Sequence, residues 1–285
     1  MIAEWFSGGA RTPVRLPDGR TREVFVRVEG PEDGRWLTML HGFPTSSYDY
    51  KPLVAPLTTA GHRLLLFDFL GFGDSDKPRE PYSLFDQVAI TTALWESHGI
   101  ERTAVVAHDY GVSVAQELLA SHGQSLTRVA FMNGGLYSEL HRPIAIQRAL
   151  KAPVVGALVA RLSNERAFAA NMRSIFSDEH QPSDEELHEL WLGITNRDGQ
   201  RNHHRLIKYI DERRENAARW RGALERTDRP LQFVWGDADP ISGEHMLAEV
   251  RRTLPRARVE SRADIGHYPQ LEDPGWVSEN LLAFL

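Results

Sequence analysis

The chain has no cysteine among its 285 residues, which excludes disulfides and thiolate metal sites. It also lacks any apolar run approaching the roughly 20 residues that span a bilayer. Positive charge is not in excess: 33 Lys and Arg stand against 39 Asp and Glu, a formal net charge of −6 at pH 7. A nucleic-acid binder needs a basic face to neutralise phosphates, so that class is set aside. The N-terminus MIAEWFSGGARTPVR has no basic region followed by an apolar stretch, so no signal peptide is expected. Internal repeats and low-complexity tracts are also missing. What remains is a chain with 41% hydrophobic residues, enough for a large core. The expectation is a cytoplasmic protein, monomer or homodimer, with no membrane or nucleic-acid partner.

Short apolar runs alternate with longer amphipathic segments, the pattern of a mostly parallel sheet covered by helices. REVFVRVEG (22–30) alternates and reads as an antiparallel strand. WLTMLHG (36–42), HRLLLFDF (62–69), TAVVAHD (103–109) and TRVAFMN (127–133) are denser and read as strands buried on both faces. The spacing of Leu84, Val88, Ile90, Leu94 and Trp95 predicts a helix over 83–100. From about 136 to 228 the alternation gives way to helical segments: HRPIAIQRAL, SNERAFAANMRSIF, SDEELHELWLGI and one long run, RNHHRLIKYIDERRENAARWRGAL. Ser183 and Glu186 make a capping box for the third. Strands resume at LQFVWG (231–236) and ARVESR (257–262), and a helix follows Pro274. The expected organisation is an α/β core from 1–135 and 229–285, with a helical cap at 136–228 inserted after the sixth strand.

One turn carries chemistry. Ala107-His108-Asp109-Tyr110-Gly111 joins the strand AVVA to the helix VSVAQELLA, and such a small-x-nucleophile-x-Gly turn lifts its central side chain above the sheet. An Asp there also has a plain reading, as the N-cap of the helix. Asp239, just past the strand LQFVWG, and His267, on a loop ahead of the last helix, complete the chain order nucleophile, acid, histidine. Asp237 is a close rival to Asp239. His41-Gly42-Phe43-Pro44 follows the third strand and nominates the backbone N–H of Phe43, with that of Tyr110, as an oxyanion hole. His41 reads as a structural residue of the turn. His203 and His204 read as solvated, with no metal-ligand spacing around them. No cofactor or metal is implied.

HGFP, DFLGFGDSDKP (68–78), HDYG and GHYPQLEDP (266–274) resemble the α/β-hydrolase superfamily in order and spacing, over nearly the whole chain. That resemblance implies the α/β-hydrolase fold, an eight-stranded sheet with its cap. An Asp at the turn is similar to the branch holding epoxide hydrolases and haloalkane dehalogenases. The strings HGFPTSSYDY, HDYGVSVAQELL and HYPQLEDP resemble the mesoderm-specific transcript proteins and their bacterial relatives.

A carboxylate attacking saturated carbon forms an ester that water can clear, whereas a serine would form a dead-end ether. The expected reaction is therefore displacement at saturated carbon of a small or medium apolar substrate, epoxide opening first. Haloalkane dehalogenation and β-lactone opening are the alternatives within the class. A catalytically silent binding or signalling protein is the alternative outside it. The resemblance assigns a cap tyrosine as leaving-group acid: Tyr209 fits by position, although packing is an equal reading, and Tyr137 is a second candidate. Trp191 reads as pocket lining, halide donor or core. Tyr110 and Phe43 stand where dehalogenases carry other residues, and Phe43 is typical of epoxide hydrolases.

Overall fold

The computed structural model describes residues 1–285. Eight strands form one sheet: β1 (Ala10–Arg15), β2 (Thr21–Glu29), β3 (Arg35–Leu40), β4 (His62–Phe67), β5 (Thr103–His108), β6 (Leu126–Met132), β7 (Leu231–Gly236) and β8 (Arg258–Arg262). Their order is β1-β2-β4-β3-β5-β6-β7-β8. β2 runs antiparallel to both β1 and β4, and every other pairing is parallel. This is the α/β-hydrolase arrangement that the sequence led us to expect. β1 carries no sequence signal of its own. Pro13 lies inside it, which a strand tolerates at a sheet edge, where one row of N–H groups has no partner.

Side chains alternate across a strand, so each dense run feeds two cores. Leu65, Phe67, Val105, Ala107, Phe131 and Trp235 face one layer, with the helices Leu84–Ser97, Tyr110–His122 and Glu244–Thr253. Leu64, Leu66, Val106, Ala130 and Val234 face the other, with the helices Lys51–Thr59 and Pro274–Leu282. Between β4 and β5 the chain crosses to the other side of β3. In an open α/β sheet the crevice outside the carboxyl ends of the strands at such a switch is where ligands bind.

After β6 the chain stays out of the sheet until β7, passing through seven α-helices from Ala145–Lys151 to Ala217–Arg226. The capping box is present: Ser183 Oγ accepts from the Glu186 N–H at 3.2 Å, and Glu186 accepts from the Ser183 N–H at 2.8 Å. The single run expected over 201–224 is instead three helices, His203–Leu206, Tyr209–Glu215 and Ala217–Arg226. Leu206, Ile207, Tyr209 and Ile210, around the first break, are all buried.

The last of these helices is fastened to the helix that follows Asp109. Glu117 is buried and accepts from Arg219 Nε at 2.8 Å and Nη2 at 2.7 Å, and from Trp220 Nε1 at 2.7 Å. Glu117→Ala strands the buried indole N–H. It should cost on the order of 1–3 kcal/mol in chemical denaturation. A loss below about 0.5 kcal/mol would mean the contact does not hold the segment.

Candidate active site

β5 ends at His108 and the helix Tyr110–His122 starts two residues later, leaving Asp109 alone to make the turn. Its φ of 43° and ψ of −101° are a strained backbone state for a residue with a side chain. Neighbouring glycines permit the turn. A Cβ on Gly111 would lie 2.2 Å from the Leu40 carbonyl oxygen, and one on Gly42 would lie 2.6 Å from His108 Nδ1. Asp109 makes no side-chain cap bond to its helix, so the plain N-cap reading does not hold. Its Oδ1 instead accepts from the Phe43 N–H at 2.9 Å. The Tyr110 N–H, first in the helix, has no intrahelical acceptor. Of the two expected oxyanion donors, the Phe43 N–H is at this carboxylate, and the Tyr110 N–H is left free at the start of the helix. His41 is structural, as expected: Nε2 accepts from the Phe69 N–H at 2.9 Å, leaving Nδ1 to donate to the Gly42 carbonyl at 2.8 Å.

Asp239 and His267 come to the same point. Asp239 Oδ2 accepts from His267 Nδ1 at 2.7 Å, Ser242 Oγ at 2.6 Å and Asn133 Nδ2 at 3.0 Å. Its Oδ1 accepts from the Ile241 N–H at 2.7 Å. The rival Asp237 turns away to Ser261 Oγ at 3.1 Å. His267 Nε2 lies 3.5 Å from Asp109 Oδ2. Burial alone lowers the His267 imidazolium, but the Asp239 charge and the contacts to both carboxylates outweigh it and raise its pKa to about 10. Burial alone raises the carboxyls. For Asp239 the charge and hydrogen bond of His267 prevail and bring it to about 2. For Asp109 the hydrogen bond and charge of His267, with the charges of His108 and Arg213, hold it well below the ordinary carboxylate range.

Three supports were not foreseen. Glu272, within QLEDP, accepts from the Gly266, Tyr268 and Ser177 N–H groups at 2.7, 3.0 and 3.0 Å and so pins the His267 loop at both ends. His108 Nε2 donates to the His267 carbonyl at 2.8 Å while Nδ1 accepts from Gln270 at 3.2 Å, and burial lowers this imidazole to about 4. Asn133, at the end of β6, orients Asp239. Their signals in the sequence are faint, since Asn, Glu and a flanking His have many ordinary uses.

Asp109 and His267 open onto a cavity of about 360 Å³ lined also by Phe43, Trp191, His203 and Ile241. Trp191 therefore borders the cavity, tilted against Phe168. His203 is not solvated as expected. It is buried 5.2 Å from the Phe43 ring, centroid to centroid, and burial lowers its pKa to about 3. His204, beside it, is half-buried. Tyr209 is buried between Tyr110 and Phe43, with ring centroids 4.9 and 6.2 Å away, and its hydroxyl has no hydrogen-bond partner. Tyr137 is not brought to the site: its hydroxyl meets Thr253 Oγ1 at 2.6 Å, under the Arg221 guanidinium. Its position just after β6 sends it down the flank of the sheet.

The family described as alpha/beta hydrolase fold matches residues 35–274. The chain is 41% identical over 250 residues to the mesoderm-specific transcript homolog protein of Homo sapiens, covering 84% of this chain and 75% of that one. It is 37% identical over 290 residues to LipZ of Mycobacterium tuberculosis (strain ATCC 25618 / H37Rv), covering 100% of this chain and 98% of that one. Among solved structures it superposes on the haloalkane dehalogenase DbeA from Bradyrhizobium elkani USDA94 with a TM-score of 0.81 and 22% identity, over 97% of each chain. This last likeness concerns the fold.

The charge pattern predicts a titration. In wild type His267 should stay protonated well past neutral pH, because two carboxylates raise it. Asp109→Asn removes one of them, so the histidine's titration should move down in pH, followed by its ring ¹H–¹⁵N shifts. An unmoved midpoint would mean that Asp109 does not set the His267 charge.

Proposed function

We propose that this chain, which belongs to the α/β-hydrolase fold family, is a hydrolase whose Asp109 displaces a leaving group at saturated carbon. An epoxide is the substrate type that fits best. The observation that carries this reading is a carboxylate, not a hydroxyl, on the strained turn, 3.5 Å from a histidine that a second carboxylate holds. The helical segment 136–228 serves as the cap, since its side chains close the cavity over Asp109.

Asp109 Oδ2 attacks a ring carbon, the carbon–oxygen bond breaks, and the alkoxide takes a proton. Tyr209 supplies it: the hydroxyl is buried and unpartnered, its ring packs on that of Tyr110 beside Asp109, and burial with the Asp109 charge raises its pKa above the usual phenol range. The Phe43 and Tyr110 N–H groups then face the ester oxygen. Esterification removes the Asp109 charge, so His267 loses one of the groups keeping it protonated; the proton it gives up restores the Tyr209 phenol, and the neutral imidazole is a competent base. Water attacks the ester carbonyl carbon as His267 takes its proton. The Asp109 carboxylate returns and a diol leaves. Asp239 keeps the imidazole oriented and offsets its charge.

A second reading, carbon–halogen cleavage, is supported by Trp191 on the cavity wall, where its indole N–H could serve a halide. Tyr110 beside Asp109 and Phe43 in the HGFP loop favour the epoxide.

Two measurements follow. His267→Gln forms the ester but does not clear it, so mass spectrometry of the peptide carrying Asp109 should find an adduct from a panel of epoxides, haloalkanes and β-lactones. Its mass and any released halide identify the leaving group, and no adduct from any member would sink the covalent route. Tyr209→Phe should slow epoxide opening by about 10²-fold or more in kcat, with KM little changed. Unchanged kcat would return Tyr209 to packing.

A further inference from the structure

Arg213 is 2% exposed, yet its two terminal nitrogens pair with no carboxylate. A guanidinium out of water normally has a carboxylate or a full set of acceptors, because burying an unpaired charge is costly. Here Nε donates to Ser113 Oγ at 3.0 Å and the group lies over the Tyr209 ring, 4.8 Å from its centroid. Nη1 and Nη2 have no acceptor. The acids next to it along the chain are committed elsewhere. Glu212 accepts from Ser83 Oγ at 2.6 Å and the Leu84 N–H at 2.7 Å, and Asp211 pairs with Lys151 at 2.5 Å.

The free edge lies beside the candidate site. A Cβ on Gly135 would fall 1.6 Å from Arg213 Nη1, and one on Gly134 would fall 3.1 Å from the Asp109 Cα, so two consecutive glycines separate the guanidinium from the turn. The Arg213 charge helps hold down the Asp109 carboxyl. One more buried polar group there is unpartnered, the hydroxyl of Tyr209, whose ring lies under the guanidinium. A buried guanidinium with two free nitrogens beside a free phenol is an arrangement that folded proteins seldom leave unsatisfied.

We infer that Arg213, with Tyr209, forms a subsite for a carboxylate, so that the substrate is an organic acid carrying its electrophilic carbon near that group. The two free nitrogens of one guanidinium edge match the two oxygens of a carboxylate, a bidentate pair that a neutral substrate cannot make. Once Asp109 is esterified and uncharged, the substrate carboxylate remains as the counter-charge to Arg213. The apolar cavity wall suits the rest of the molecule. As a statement about the substrate this rests on the Asp109 reaction proposed above, whereas the subsite itself is testable without chemistry.

The probes are phenylacetate and its neutral isostere phenylacetamide, titrated calorimetrically into wild type, Arg213→Met and Arg213→Lys. Wild type should bind the acid at least about tenfold more tightly than the amide. That preference should collapse to about unity in Arg213→Met and survive in part in Arg213→Lys. A merely structural Arg213 would change thermal stability but not the acid-to-amide ratio. Equal binding of the two probes by wild type, no binding of either at millimolar concentration, or a preference untouched in Arg213→Met overturns the inference. The covalent arm uses styrene oxide and 3-phenylglycidate with His267→Gln. An Arg213-dependent preference with no adduct from either epoxide upholds the subsite and sinks the reaction. Adducts from both at equal rates, with no preference between the probes, do the reverse.

Discussion

The contact on which the rest of the site depends is one imidazole held between two carboxylates, with all three groups buried. Each charge alone would be too expensive to keep away from water, and each is tolerable only because the others are present. Much of the surrounding structure keeps that trio aligned. Glu272 fixes the loop, His108 fixes the His267 carbonyl, and Asn133 and Ser242 fix Asp239. The strained turn at Asp109 survives because Leu40 and His108 leave room only for glycine opposite it.

Within that frame one letter decides the chemistry. The fold is shared by proteins of many activities, so it says little about the reaction by itself. In the proposed reaction the aspartate at the turn attacks saturated carbon to give a hydrolysable ester, and the Phe43 and Tyr110 N–H groups stabilise the oxygen that must bear charge when water arrives. The segment 136–228 contributes apolar side chains to the cavity wall, and its helix Tyr209–Glu215 carries a buried phenol and an unpaired guanidinium.

How much was legible in the sequence follows from how local each signal is. Four strands announce themselves as dense apolar runs and three more as alternating or resumed strand patterns, and the turn at Asp109 is a five-residue pattern between a strand and a helix. Asp239 and His267 follow from chain order. β1 is short, half-exposed and contains proline, so periodicity is silent there. Arg213 sits in DERRENAAR, where any charge looks solvated; only the break after Leu206 and the packing of the segment onto Tyr110 bury it. His203 is misread for the same reason, since its partner Phe43 lies 160 residues away in the chain. Tyr137 shows the opposite error, a plausible position along the chain that the fold directs to Thr253.

The central claim is that Asp109 is esterified and that water attacks the ester's carbonyl carbon, not the substrate. A single turnover of excess enzyme with an epoxide in H₂¹⁸O tests this most directly. The account predicts one ¹⁸O atom in the peptide carrying Asp109 and an unlabelled diol from that first turnover. Label found wholly in the diol, with none in Asp109, would contradict it and make Asp109 a base or a charge instead of a nucleophile.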